Sequence, residues 1–289
     1  MKKIVTLSLV LISSLSLLTA QTHRLSNDQN ESRALPEQPQ QGIKANATQQ
    51  FVLNPDGTWQ FEDGSYSIVK ASNNEKYALF SSGKWSPMET LTDGDGNTYD
   101  AVKIGNYFWM TKNMQTTKYS NGQPIKLSPD NNADWKSKAG AYTNIDNKIE
   151  NKAEKGLLYS WHVANNPYRI CPKGWRIPSD DEWMDLFTTL GGISNAGVPL
   201  KSTQGWKPKE EVTSNPNGTD MFMFNGVPTG YRQMHNENSA FWHLKSEATY
   251  WSITTKSDND ATAVTINTLS TLRVGPSPKF FGRSIRCIK

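Results

Sequence analysis

Beyond its first 20 residues the sequence contains no apolar run of the about eighteen residues that a membrane-spanning helix needs, so no transmembrane segment is expected. It also has little excess charge of either sign. Its 31 Lys and Arg against 27 Asp and Glu give +4, and removal of Lys2 and Lys3 with a leader leaves 29 against 27, or +2. That balance gives no electrostatic case for nucleic acid or an anionic membrane surface. Catalytic signatures are missing as well. There is no GxSxG, no HExxH and no phosphate-binding loop, and of the 4 histidines one, His23, falls in a segment too polar to fold. The expectation is a protein that is not an enzyme and that uses neither a cofactor nor a metal.

What is present begins with MKKIVTLSLVLISSLSLLTA: two lysines, an apolar run and small residues, the layout of a secretory signal peptide cleaved after Ala20. The next residue is Gln21 and no cysteine lies nearby, which leaves no site for an N-terminal lipid. Export is therefore expected, to an extracellular, cell-surface or periplasmic location. Residues 21–48, rich in Gln, Asn, Ser and Pro and lacking aromatics, cannot bury enough surface to order themselves and read as a disordered tether. Residues 49–88 change texture. FVLNPDGTWQF alternates around Pro55-Asp56-Gly57 and YALFSSGKWSP around Ser82-Gly83, which predicts a small β-hairpin module too short for a core of its own.

The main domain is expected over residues 91–289. Two turns, Asp95-Gly96-Asn97 and Gly105-Asn106, flanked by Tyr99, Val102, Ile104 and Phe108, predict a three-stranded start. Asp93, Asp95 and Asn97 have the first spacings of a calcium loop, but Thr98 stands where Gly is required and Ile104 where a bidentate Glu should sit, so a plain turn is expected. Gly156 to Asn166 (GLLYSWHVANN) puts Leu157, Leu158, Trp161 and Ala164 at helical spacing, which predicts a helix with His162 as an ordinary surface or core histidine.

The strongest local signal is CPKGWRIPSDDEWMDLFTTL, Cys171 to Leu190. Ser179 as N-cap with Glu182 three residues on makes a capping box, and Ile177 with Trp183 a hydrophobic staple. Asp180, Asp181 and Glu182 complement the helix dipole. Trp183, Leu186, Phe187 and Leu190 form one buried face, and Gly191-Gly192 ends the helix. The acids clustered here, with Asp185, are better explained by capping than by catalysis. Next comes a long irregular stretch carrying Trp206, Tyr231, Arg232 and Trp242, then the predicted closing strands 248–254, 261–267, 271–274 and 283–288. Asp258, Asn259 and Asp260 make an acidic loop, read as a solvated turn rather than a cation site. Two cysteines in an exported chain most simply form one disulfide, Cys171–Cys287. The alternative, a free nucleophilic thiol, needs a low-pKa setting with a base nearby.

GNYFWMTKNM (105–114), GLLYSWHVA (156–164), CPKGWRIPSDDEW (171–183) and the terminal FGRSIRCIK together resemble the Fibrobacter succinogenes major paralogous domain family over about 91–289. More distantly, RIPSDDEW and the terminal GRSIRC are similar to elements of the formylglycine-generating enzymes. The resemblance implies an α+β, C-type-lectin-like domain, with two helices on short antiparallel strands and long loops, and implies no activity. The reactive cysteine pair of the formylglycine-generating enzymes is absent. The calcium-holding loop of sugar-binding lectins has only an echo at Asn215-Pro216-Asn217.

On these grounds the expected function is a non-catalytic binding or adhesion module, with a glycan or a surface protein as its partner. Trp206, Tyr231, Arg232, Trp242 and Trp251 are its candidate ligand contacts, since aromatic rings stack on sugar faces and fixed loops carry such sites. The alternatives are an enzyme acting on carbohydrate or surface polymer, and a structural or assembly subunit. For each aromatic, a place in the core competes with a place in the site.

Overall fold

The computed structural model describes residues 75–80, 84–208, 215–235 and 238–289, together with the strands Ile4–Val5, Phe51–Leu53, Trp59–Phe61 and Tyr66–Lys70. The expected tether, most of the leader, and the turns at Pro55-Asp56-Gly57 and Ser82-Gly83 lie outside the described residues. The chain divides into two units, Met1–Pro87 and Met88–Lys289.

In the first unit, β1 (Ile4–Val5), β2 (Phe51–Leu53) and β3 (Trp59–Phe61) pair in that order, antiparallel, with Leu53 opposite Trp59. β4 (Tyr66–Lys70) and β5 (Lys76–Phe80) make a second antiparallel pair, with Ile68 opposite Ala78. Past β5, the Phe80 N–H donates to the Lys84 carbonyl.

The second unit has few helices and several small, mostly antiparallel sheets, an α+β fold. From Met88 onward β6 (Trp85–Thr92) pairs with β7 (Thr98–Ile104), and β7 with β8 (Tyr107–Met110), the three-stranded start that the turn residues predict. The Asp93 carboxylate accepts from the backbone N–H groups of Asp95 and Asn97, from Asn97 Nδ2 and from the Tyr99 hydroxyl, so this turn is closed by its own acid. Next come β9 (Lys126–Leu127), α1 (Asn132–Lys136), β10 (Ala141–Asn144), α2 (Asn151–Lys155) and β11 (Leu157–Tyr159), the three strands lying in the order β11-β10-β9.

The expected helix over 156–166 is corrected here. Leu157–Tyr159 is strand β11 and only α3 (Trp161–Ala164) is helical. Leu157, Leu158 and Tyr159 are all buried, so the strand reads as a continuous apolar run that periodicity cannot tell from a helix. Gly156 enforces the break. Its φ of 80° suits glycine, and a Cβ there would come within 2.6 Å of the Asn113 Cβ.

α4 (Asp180–Thr189) matches its sequence signal, including the reciprocal capping box of Ser179 and Glu182. Trp183, the inward residue of the first turn, packs on Trp109 at 4.7 Å and Tyr250 at 5.6 Å between ring centroids. Asp180 is tied to the sheet below by Thr262 and Lys256, and Glu182 to Arg176. Burial alone would raise both carboxyls, but these partners hold each below the ordinary range. α5 (Gly197–Leu200) follows, then the hairpin of β12 (Tyr231–His235) and β13 (Asn238–Trp242) inside the stretch expected to be irregular. β14 (Glu247–Thr255), β15 (Asp260–Asn267) and β16 (Arg273–Pro278) close the domain as a sheet with β15 central.

The predicted last strand, 283–288, is also corrected. This segment forms isolated bridges: Arg283 with Tyr159, Ser284 with Tyr250, and Ile288 with both Arg176 and Trp109. Because it changes partner every residue or two, no ladder builds, yet it supplies an edge to β8, β11 and β14 in turn. Arg286 of the same segment is fully buried and donates to Asn113 Oδ1 and to the carbonyls of Met110, Phe224 and Asn225. The Cys171–Cys287 disulfide anchors it ahead of α4, in the main hydrophobic cluster.

Candidate binding site

The five residues singled out in the sequence separate by depth. Trp251 is fully buried, its indole N–H donating to the Tyr159 carbonyl at 2.8 Å. Trp206 is buried with its N–H on Ser202 Oγ, and the Lys201 ammonium lies 5.5 Å from its ring. Arg232 is also interior. Its guanidinium lies 4.1 Å from the Trp135 ring and donates to Asn132 Oδ1, and burial pushes its pKa down to about 10. These three hold the loops from beneath and do not reach a surface ligand. Tyr231 and Trp242 differ: they face each other in register at the base of the β12–β13 hairpin, Tyr231 half-buried and Trp242 38% exposed.

Tyr231 sits at the edge of a polar cluster that sequence reading did not find. Its ring stacks on His243 at 5.8 Å and on Phe281 at 6.1 Å, and the Arg283 guanidinium lies 4.9 Å from its centroid. Burial raises the Tyr231 pKa against the pull of Arg283. Glu247, at the start of β14, is buried; it accepts from Arg273 of β16 and lies 3.7 Å from His243 Nδ1.

Beside Arg273 and Arg283 lies a cleft of about 520 Å3, whose lining also includes Ala263, Thr265 and Gly275 and the apolar Ile193, Leu272, Val274 and Pro276. The register places Ala263 opposite Gly275 and Thr265 opposite Arg273, so these four alternate positions share one face of the sheet. A Cβ added at Gly275 would meet nothing within 4 Å. One guanidinium, Arg273, is exposed and paired with Glu247. The other, Arg283, is 7% exposed and forms no ion pair among the described residues. Its Nε and Nη2 both donate to Ser277 Oγ, at 3.2 and 2.8 Å, and it also lies 5.3 Å from the Trp251 ring. Burial pushes its pKa down to about 10, which leaves it a cation at neutral pH.

Among the described residues no group of three or more His, Cys, Asp and Glu side chains is placed to hold an ion. In the 257–260 loop the Lys279 ammonium donates to the carbonyls of Ser257 and Asp258. An internal cation thus already occupies those acceptors. His162 is half-buried beside Trp161, its pKa lowered by burial and by Lys279 and Lys138.

The signal that would have led to the cleft is weak: an Arg-Val-Gly pattern at 273–275, small residues alternating through 261–263, and Arg283 in the terminal motif. No curated protein and no solved structure matches the chain. The model of the Fibrobacter succinogenes major domain matches residues 102–289, which takes in α4, both cysteines and the whole cleft, and the chain belongs to that family.

Proposed function

We propose that the protein is an exported, non-catalytic binding module of C-type-lectin-like organisation. Its ligand, a glycan, docks where the β12–β13 hairpin meets the cleft on the β14–β16 sheet. The observation that carries this reading is an exposed ring, Trp242, paired opposite Tyr231, whose own ring lies 4.9 Å from the Arg283 guanidinium that lines the hollow with Ala263 and Gly275. Sugar recognition uses this combination: an apolar face for ring stacking beside a few fixed polar groups. Export is supported by the leader-like first 20 residues and by a disulfide buried in the core, which persists in an oxidising compartment.

An enzyme acting on surface polymer would need an acid and a base facing the cleft. Glu247 is held by Arg273 and His243, which favours recognition over proton transfer. The test is a glycan array with the chain from Gln21 to Lys289, in parallel with Trp242→Ala. Retained folding with binding lost in the variant is the expected result. Binding that is indifferent to Trp242, or no glycan bound at all, would move the assignment to a protein partner.

A further inference from the structure

We propose that the cleft recognises a carboxylate, so that its ligand is an acidic glycan built from hexuronate units, with Arg283 as the receptor. This rests on the binding-module reading above and deepens it.

A guanidinium has five N–H donors in a fixed planar fork. Ser277 Oγ takes donation from Nε and from Nη2, and so occupies the side edge of the Arg283 fork. The end edge, where an Nη1 N–H and the second Nη2 N–H run parallel, has no protein acceptor among the described residues. That edge is the one that grips a carboxylate with two parallel hydrogen bonds.

The surroundings fix the guanidinium plane. Tyr231 and Trp251 lie 4.9 and 5.3 Å from its central carbon, and Glu247 acts on it through space without an ion-pair contact. A buried cation without a counter-ion is costly unless something satisfies it, and the fully buried Arg286 shows the alternative solution. Arg286 places four hydrogen bonds on one side-chain amide and three carbonyls and is satisfied within the protein. Arg283 has one hydroxyl and a cleft.

The remaining charges around the cleft leave it positive. Arg273 at the mouth is balanced by Glu247, so the surplus charge is that of Arg283. The missing side chain at Gly275 leaves room above the sheet for a sugar-sized group to lie beside the fork.

The experiment is calorimetric titration of the chain from Gln21 to Lys289 with a hexuronate oligosaccharide, its carboxyl-reduced neutral counterpart and an acidic peptide, at fixed salt. The hexuronate is expected to bind roughly ten- to a hundredfold tighter than the neutral sugar, the discrimination of a charge-assisted bidentate contact. Gly275→Val fills the cleft from a strand position where the new atoms have space, so it should keep the wild-type melting temperature and lose hexuronate binding. Arg283→Lys keeps the charge without the fork and should reduce the preference for the hexuronate over the neutral sugar.

Equal binding of acidic and neutral sugars, lost on Trp242→Ala, would overturn the carboxylate assignment and leave the glycan-binding reading intact. Hexuronate binding unchanged in a folded Gly275→Val would overturn the cleft as its location. Binding of the acidic peptide but neither sugar, or of no probe, would overturn both.

Discussion

Replacing both Cys171 and Cys287 with alanine removes a cross-link that closes a loop of sequence separation 116. The loop-entropy relation for that length gives about 4.8 kcal/mol at 25 °C. For a domain of this size each kcal/mol moves the melting temperature by about 2–4 °C, so the double variant should melt roughly 10–20 °C lower. The effect should be concentrated at the C-terminus. Residues 283–288 are held by isolated bridges, and with the bridge gone their freedom in the unfolded chain rises while no ladder compensates. Scanning calorimetry of the double variant against wild type reads the shift. Refolded, reduced wild type separates the cross-link from the loss of buried sulfur. In the native protein Cys287 is fully buried and Cys171 is 3% exposed, so the rate of reduction by dithiothreitol should plateau at the rate of structural opening. A fall of less than about 4 °C, or reduction that stays first order in dithiothreitol at all concentrations, would refute the argument that the bridge holds this segment.

Two further outcomes follow from single side chains. Ser179→Ala should cost about 1 kcal/mol, because the side-chain acceptor for the Glu182 N–H is lost; the denaturant midpoint measures it, and an unchanged midpoint would mean that Arg176 and the sheet contacts hold the helix start without the cap. Asp220 is 7% exposed, and burial, opposed by the Asn225 N–H and by Arg286, raises its carboxyl to about 7. Its folded pKa therefore exceeds its unfolded one: its contribution to stability is full below about pH 4, falls as pH rises, and is lost above about pH 7, a swing on the order of 4 kcal/mol. Asp220→Asn keeps the acceptor for Asn225 and removes the titration, so its stability relative to wild type should improve from pH 4 to 7. Parallel curves for the two proteins would contradict the assignment.

α4 was legible in the sequence because everything that defines it is local. The cap, the reciprocal Glu182, the acidic first turn and the Trp183–Leu186–Phe187 face lie within a dozen residues, and no distant partner is needed to read them. The turns at Gly96 and Gly105 and the alternation of the strands around them were legible for the same reason. Residues 157–159 were misread because a strand buried on both faces loses its alternation.

The sequence by itself determined the anchor helix and the pairing of the two cysteines, and the resemblance of its motifs to a known family implied the α+β class. Only the tertiary structure decided depth. Trp206, Trp242 and Trp251 look alike in sequence, and packing puts two inside and leaves one at the surface. Arg283 and Arg286 stand three residues apart in one terminal motif, and the sequence gives no reason to treat them differently. Carbonyls contributed by Met110, Phe224 and Asn225 satisfy one, while a serine and an empty stretch of sheet face the other. The physical reason is that burial and hydrogen-bond satisfaction depend on partners that the fold brings in from distant parts of the chain, 61 to 176 residues away for Arg286, which no local pattern encodes.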